Sequence, residues 1–294
     1  MNKYIKTYGA KVKNIFMKSS LYSLYSLFTE TQIPPKAYMN TKFIQTYRID
    51  KARKLIIKRR ERKKAENVDD FNLISKELNE LEDQGIVVVN NFLPENCIDE
   101  ITKYRKTLID SDLNGLKHFE LRGAEYLDGM IEELLPKTFK FINENQLIDI
   151  LPRIYLGRSK VSSSWRLKFI RDLPNQMDQN CINHSDTFHN TLKIWIYIDD
   201  VEASQDSLKY WKKSHLPDNS IDEYRLKSML DGVGSPRLEE GILEDHGYKK
   251  FDESIKSNTL IIADTFGFHY RNFAPSKTDW RPTIFCSLRH TPFF

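Results

Sequence analysis

Asn183-His184-Ser185-Asp186-Thr187-Phe188-His189-Asn190-Thr191-Leu192-Lys193-Ile194-Trp195-Ile196-Tyr197-Ile198 is the stretch that decides the fold. Its second half alternates. Leu192, Ile194, Ile196 and Ile198 fall on one side, and Lys193, Trp195 and Tyr197 on the other. That is the period of a β-strand buried on at least one face. Its first half holds His184-Ser185-Asp186. On an extended segment residues i and i+2 share a face, so an imidazole nitrogen and a carboxylate oxygen can converge on one ion. Two ligands do not make a site, so the flanking chain must supply a third ligand and a scaffold.

Strand-like runs surround this stretch at 153–156, 165–170, 259–263 and 282–289, separated by turns. Trp195 reads as core, and Tyr155 and Trp165 as packing residues or pocket lining. Interleaved helices, which a parallel sheet needs, are missing from this half, so the pattern predicts a sandwich or jelly roll. Residues 216–258 interrupt the strands with charges, prolines and glycines. They read as a long loop that covers the site.

Upstream the texture is helical. Helices are expected at 41–65, at 71–83 after a cap from Asn67 or Asp70, at 95–109 after Pro94, and over 131–149. Gln84-Gly85 breaks the chain before a β-branched strand, Ile86 to Val89. Residues 111–130 read as irregular. Residues 1–34 read as short amphipathic helices ended by Pro34-Pro35.

Charge divides the chain. Residues 1–66 hold 17 Lys/Arg against 4 Asp/Glu, and the rest holds 28 against 37. The expected organisation is a basic helical N-terminal extension, 1–66, and a body, 67–294. The run Lys58 to Lys64 can meet an anionic surface or an acidic partner. It lacks interleaved aromatics for stacking bases, so no specific nucleic acid is expected. The alternative is a solvated cationic helix face.

Three scattered cysteines, without a C-x-x-C pair, suggest reduced thiols in a cytoplasmic protein. No apolar run reaches membrane-spanning length. Glycine motifs for dinucleotides, P-loops and serine hydrolases are absent.

Among seven histidines, His269 follows the strand 258–268 at a point where a ligand can turn inward. Two histidines and one carboxylate on one face of an ion leave open positions for a cosubstrate and dioxygen, the pattern of non-heme ferrous oxygenases. Arg281 lies twelve residues further on, and a guanidinium suits the far carboxylate of a dicarboxylic keto acid. Arg271 is its rival.

The ordered set His184-x-Asp186, Leu192 to Asp200, Leu208 to His215, Asp264 to His269 and Arg281 resembles the phytanoyl-CoA dioxygenase family of iron(II)/2-oxoglutarate oxygenases, over about residues 70–294. The strand-to-helix opening Gln84 to Pro94 is similar too. The resemblance implies an α+β, mainly β chain with a double-stranded β-helix (jelly roll, cupin-like) core and flanking helices. It implies Fe(II) on His184, Asp186 and His269, and 2-oxoglutarate on Arg281. Thr187 and Lys193 are further candidate cosubstrate contacts. The implied activity hydroxylates an unactivated C–H of a small molecule with dioxygen, releasing succinate and carbon dioxide. Asp186 favours hydroxylation over halogenation. Lys212-Lys213-Ser214-His215 and Tyr270-Arg271-Asn272 depart from the family's usual residues, and no residue points to an acyl-CoA. A binding or accessory protein on the same fold, docking through its basic N-terminus, is the alternative.

Overall fold

The computed structural model describes residues 42–110, 116–121, 123–174, 176–205, 207–230, 235–274, 280–290 and 292–293. The helices expected over 1–34 lie outside the described residues.

The alternation of Leu192 to Tyr197 (β5) sets the architecture. Leu192, Ile194 and Ile196 join the large hydrophobic core, while Lys193, Trp195 and Tyr197 line a cavity. Two pairings place β5 centrally. It runs antiparallel to β8 (Thr259–Asp264) and to β10 (Arg281–Leu288). β4 (Arg166–Asp172) pairs with β10, and β1 (Ile86–Asn90) pairs with β8. The hairpin of β2 (Lys117–Leu121) and β3 (Ala124–Met130) extends the β4 edge. Seven strands therefore run in the order β1-β8-β5-β10-β4-β3-β2.

A smaller sheet, β7-β6-β9, faces it. Its strands are β6 (Leu208–Lys212), β7 (Lys249–Phe251) and β9 (His269–Arg271). His184 bridges to both His269 and Arg237, adding a fourth short rung. Two antiparallel sheets wound from alternating strands form a double-stranded β-helix, a cupin-type jelly roll with flanking helices.

One face of the large sheet carries helices. These are α2 (Val68–Gln84), α3 (Glu95–Asp110), α4 (Ile131–Leu134), α5 (Pro136–Glu144) and α6 (Gln146–Tyr155), with α1 (Lys42–Glu66) packed on α2 and α6. Ile74, Leu78 and Leu81 of α2 share a stripe at helical spacing and are buried against the sheet. Gly85 ends α2 in the left-handed region, φ +79°, and its N–H closes on Leu81 O at 2.9 Å.

Four expectations change. Residues 111–130 contain the β2–β3 hairpin, in which β2 is a mostly exposed edge and β3 is buried at consecutive positions, so neither shows apolar alternation. Residues 153–156 end helix α6, whose continuous burial imitates a strand run. Trp195, read as core, lines the cavity, whereas Trp165 and Tyr155 sit in the helix-side core as packing residues. The segment 216–258 is largely ordered, with α7 (Asn219–Leu230), α8 (Glu240–Asp245) and β7. It does reach the site, since Pro236 O accepts from Ser185 N at 2.8 Å.

Of the basic extension drawn at 1–66, residues 42–66 are described and form helix α1. Only Asn67 separates α1 from α2, and α1 packs into the body. Its Ile49, Ala52 and Ile56 are buried, as are Arg48, Arg53 and Arg60. Arg48 lies 3.6 Å over the Phe188 ring, and Arg53 grips Asp222 at 2.5 and 3.0 Å. Arg60 donates to Tyr155 O at 2.8 Å. Guanidiniums that stack on rings and make forked bonds stabilise a buried contact as no solvated face would. Of the basic run, Arg62, Lys63 and Lys64 pair with Glu66, Glu61 or Glu82.

Candidate metal centre

His184 and His269 meet through backbone before side chains enter. The N–H of each donates to the carbonyl of the other, both at 2.9 Å. This reciprocal antiparallel pair sets the two imidazoles side by side, with ring centroids 4.5 Å apart. The 184–187 segment is strapped on its other flank as well. Asp186 N donates to Thr265 O at 2.9 Å, and Ser185 Oγ to Phe266 O at 2.8 Å.

The turn between β8 and His269 is organised by Asp264. Its buried carboxylate accepts from Tyr155 Oη at 2.5 Å, Phe266 N at 3.0 Å, Thr191 N at 3.2 Å and Asn190 Nδ2. One acidic side chain thereby ties the approach to His269 to the start of β5. Gly267 completes the turn, because a Cβ there would lie 2.0 Å from Tyr210 Oη.

Each ring is oriented by a carbonyl two residues back. Nδ1 of His184 lies 2.7 Å from Ile182 O, and Nδ1 of His269 lies 3.0 Å from Gly267 O. A carbonyl only accepts, so Nδ1 carries the proton and the Nε2 lone pair faces outward. Nε2 of His184 is 3.7 Å from Asp186 Oδ1, and Nε2 of His269 is 3.8 Å from Oδ2. The three ligand atoms lie within 4.8 Å of one another. Burial pushes His184 down to about 4 and His269 to about 3, so both are neutral at pH 7. Burial works to raise the Asp186 carboxyl, but Lys193 foremost, with Arg289 contributing, overrules it and holds it well below the usual carboxylate range.

This arrangement fits a cation. His269 Nε2 is buried without a hydrogen-bond partner. Two neutral lone pairs pointed at a carboxylate repel it unless positive charge lies between them. Two imidazoles and one carboxylate suit a divalent transition metal.

A cavity of about 460 Å³ opens beside the triad. Its floor is the inner face of β10 and β5, with Thr283, Phe285, Ser287, Trp195 and Tyr197. Its cationic lining residues are Lys168, Lys193, Arg271 and Arg289. Lys193 Nζ meets Asp186 Oδ2 at 2.6 Å, and Arg289 meets Oδ1 at 3.1 Å. Burial brings Lys168 down to about 8, against the pull of Asp128.

The remaining sequence candidates fall elsewhere. Arg281 starts β10 on the cavity-facing side of the strand. It lies behind the lining residues and donates to Asp172 Oδ2 at 3.2 Å. Arg271 lines the cavity and is held by Asp172 at 2.7 and 2.9 Å and by Asp178 at 3.0 Å. Thr187 is buried, and its hydroxyl donates to His189 O at 2.6 Å. His189 is buried outside the triad, edge-on to Phe188. His215 Nε2 lies 3.1 Å from Glu82 O and closes a turn. The sequence reading passed over Asp172, Asp178, Ser287 and Arg289. Arg289 and Ser287 continue the alternation of the last strand, which was the available signal.

No family model matches the sequence, and no curated protein matches it. Solved structures do match. EctD from S. alaskensis with bound Fe is 15% identical, with 74% of this chain and 79% of that chain covered and a TM-score of 0.50. The non-heme α-ketoglutarate-dependent epimerase SnoN from nogalamycin biosynthesis is 13% identical, covering 74% and 83%, at TM-score 0.47. AviO1 from Streptomyces viridochromogenes Tue57 is 13% identical, covering 71% and 91%, at 0.46. The fold is a cupin-type double-stranded β-helix, shared with EctD. Among the described residues, no helix is long and apolar enough to cross a membrane.

Proposed function

We propose that this chain is an iron(II)- and 2-oxoglutarate-dependent dioxygenase that hydroxylates an unactivated C–H of a small molecule, with release of succinate and carbon dioxide. The observation that carries the reading is the His184, Asp186 and His269 cluster. Three acceptor groups face one another inside a cupin fold at the mouth of a cavity. The fold it shares with Fe-bound EctD supports iron over other divalent ions.

When bound, Fe(II) supplies the redox chemistry that couples oxidative decarboxylation of the keto acid to oxidation of a C–H. The chain's own residues bind and orient. His184, Asp186 and His269 hold the ion through Nε2, carboxylate and Nε2. Ile182 O and Gly267 O fix the imidazole tautomers. Trp195 and Phe285 shield the cavity floor from water, their ring centroids 6.0 Å apart. Arg281 takes the far carboxylate of 2-oxoglutarate, because Arg271 is already clamped by two carboxylates. The binding-protein alternative needs a free cationic helix, and Arg48, Arg53 and Arg60 are instead buried in the body.

The test measures succinate from 2-oxoglutarate by the full chain with and without Fe(II). Formation should require the metal, and His269→Ala should lose both succinate and metal uptake measured by equilibrium dialysis. Arg281→Met should raise the Kd for 2-oxoglutarate, and Arg271→Met should leave it within about twofold. Metal uptake undiminished in His269→Ala would sink the proposal.

A further inference from the structure

Beyond the triad, one group of side chains at the metal end of the cavity has no role in the reading above. Lys193 and Ser287 are register partners across β5 and β10, and both face the cavity. Arg289 follows two residues later on the same side. Ser287 Oγ is buried and has no hydrogen-bond partner, so a hydroxyl donor waits beside a buried ammonium. The Arg289 side chain is 36% exposed and stands at the rim, while that of Lys193, 13% exposed, lies deeper.

The charge balance points the same way. Both cations lean on one carboxylate, Asp186, which is also the ligand a metal would share. Among the described residues, no Asp or Glu lines the cavity, against four Lys and Arg. Arg271 is offset by Asp172 and Asp178, and Lys168 has Asp128 nearby. Lys193 and Arg289 have no second carboxylate of that kind among their ion pairs. A largely buried ammonium with a guanidinium at the rim above it, in this state, favours a ligand that brings negative charge and acceptor atoms. The aromatic wall of Trp195, Tyr197 and Phe285 supplies an apolar surface next to them.

We propose that Lys193, Ser287 and Arg289 form an oxyanion-recognition site, so that the compound oxidised here carries a carboxylate or phosphate group beside an apolar body. The inference rests on the oxygenase reading, because it assigns the substrate half of that cavity. Arg289 receives the anion at the rim, and Lys193 and Ser287 hold it next to the metal ligands.

The test is calorimetry on the full chain loaded with Mn(II) and 2-oxoglutarate under argon, titrated with phenylphosphonate, benzoate and neutral benzamide. Either anion should bind saturably and at least about tenfold more tightly than benzamide, the size of one charge-assisted hydrogen bond. The stronger of the two names the group. Arg289→Gln should lose that margin, Arg289→Lys should recover part of it, and Ser287→Ala should weaken binding about threefold. The affinity for 2-oxoglutarate should stay within about twofold in all three variants, and that for Mn(II) within about twofold in Ser287→Ala.

Parallel loss of 2-oxoglutarate in Arg289→Gln would overturn the proposal by giving the cluster to the cosubstrate. So would equal binding of benzamide and the anions. Failure of the wild type to take up Mn(II) and 2-oxoglutarate would instead break the oxygenase reading, and this inference with it.

Discussion

The two ends of the cavity hold charged clusters built on opposite principles. At one end Asp172 and Asp178 meet Arg271 and Arg281, donor against acceptor, at 2.7 to 3.2 Å. At the other end His184, Asp186 and His269 present acceptors to acceptors. The first cluster is matched in charge within the protein, with Asp172 shared between the two arginines. The second is stable only with help from outside the triad, which Lys193 and Arg289 supply here through Asp186. Acceptors left facing acceptors at a buried site mark where a cation belongs.

Substitutions should separate the two ends, and the largest effect is expected at the metal. His269→Ala should cut turnover by at least about 1,000-fold, roughly 4 kcal/mol of transition-state stabilisation. The melting temperature of its metal-free form should hold or rise, because one repelling lone pair is gone. A large fall in that temperature would place His269 with the structural residues and erase the contrast.

Asp172→Ala should behave in the opposite sense. It strands two arginines on one side of the sheet, and breaking a buried pair costs about 3–5 kcal/mol. Urea unfolding should show that loss while metal uptake persists. An Asp172→Ala protein as stable as the wild type would remove the contrast between the two ends.

Acid sharpens the comparison further. Burial sets His184 and His189 at about 4 and His269 at about 3 in the folded chain, below their ordinary 6.5. Above pH 6.5 folded and unfolded chains are both neutral at these positions. As pH falls from 6.5 towards 4 the unfolded chain takes up protons that the folded chain refuses. Stability of the metal-free protein should drop by up to about 1.4 kcal/mol per pH unit for each histidine. The arginine end adds to this only below about pH 5, where the unfolded Asp172 begins to take up protons that the folded carboxyl, its burial overruled by Arg271, refuses. A flat urea-unfolding profile from pH 7 to 4.5 would contradict this.

The smallest effect is expected at the turn that delivers His269. Gly267→Ala should cost about 1–3 kcal/mol through overpacking against Tyr210. Adding Tyr210→Phe should recover part of it by removing the hydroxyl in the way. Differential scanning calorimetry on the pair would measure the coupling.

How much of this was legible in the sequence follows from the range of the forces involved. β5 announces itself, because alternation is local and each of its faces meets a different environment. His184-x-Asp186 is equally local. The β2–β3 hairpin was missed because β2 is an exposed edge with no apolar side to repeat, and β3 is buried at consecutive positions and does not alternate. The end of α6 was read as a strand because a helix buried on most sides loses its period. The basic charge of α1 concealed that Arg48, Arg53 and Arg60 point inward, since guanidinium stacking leaves no sequence period. Asp172 and Arg289 acquire roles only through partners about a hundred residues away. No spacing rule reaches that far.

The reciprocal backbone pair between His184 and His269 has a consequence for measurement. Each residue's amide proton is held by the other residue's carbonyl. Opening the lip of the barrel at this point frees both amides and separates the ligands in the same event. Their hydrogen-exchange rates should therefore rise and fall together, although the two residues are far apart in sequence. Those two amides offer a clock for the integrity of the site, readable with no substrate in hand.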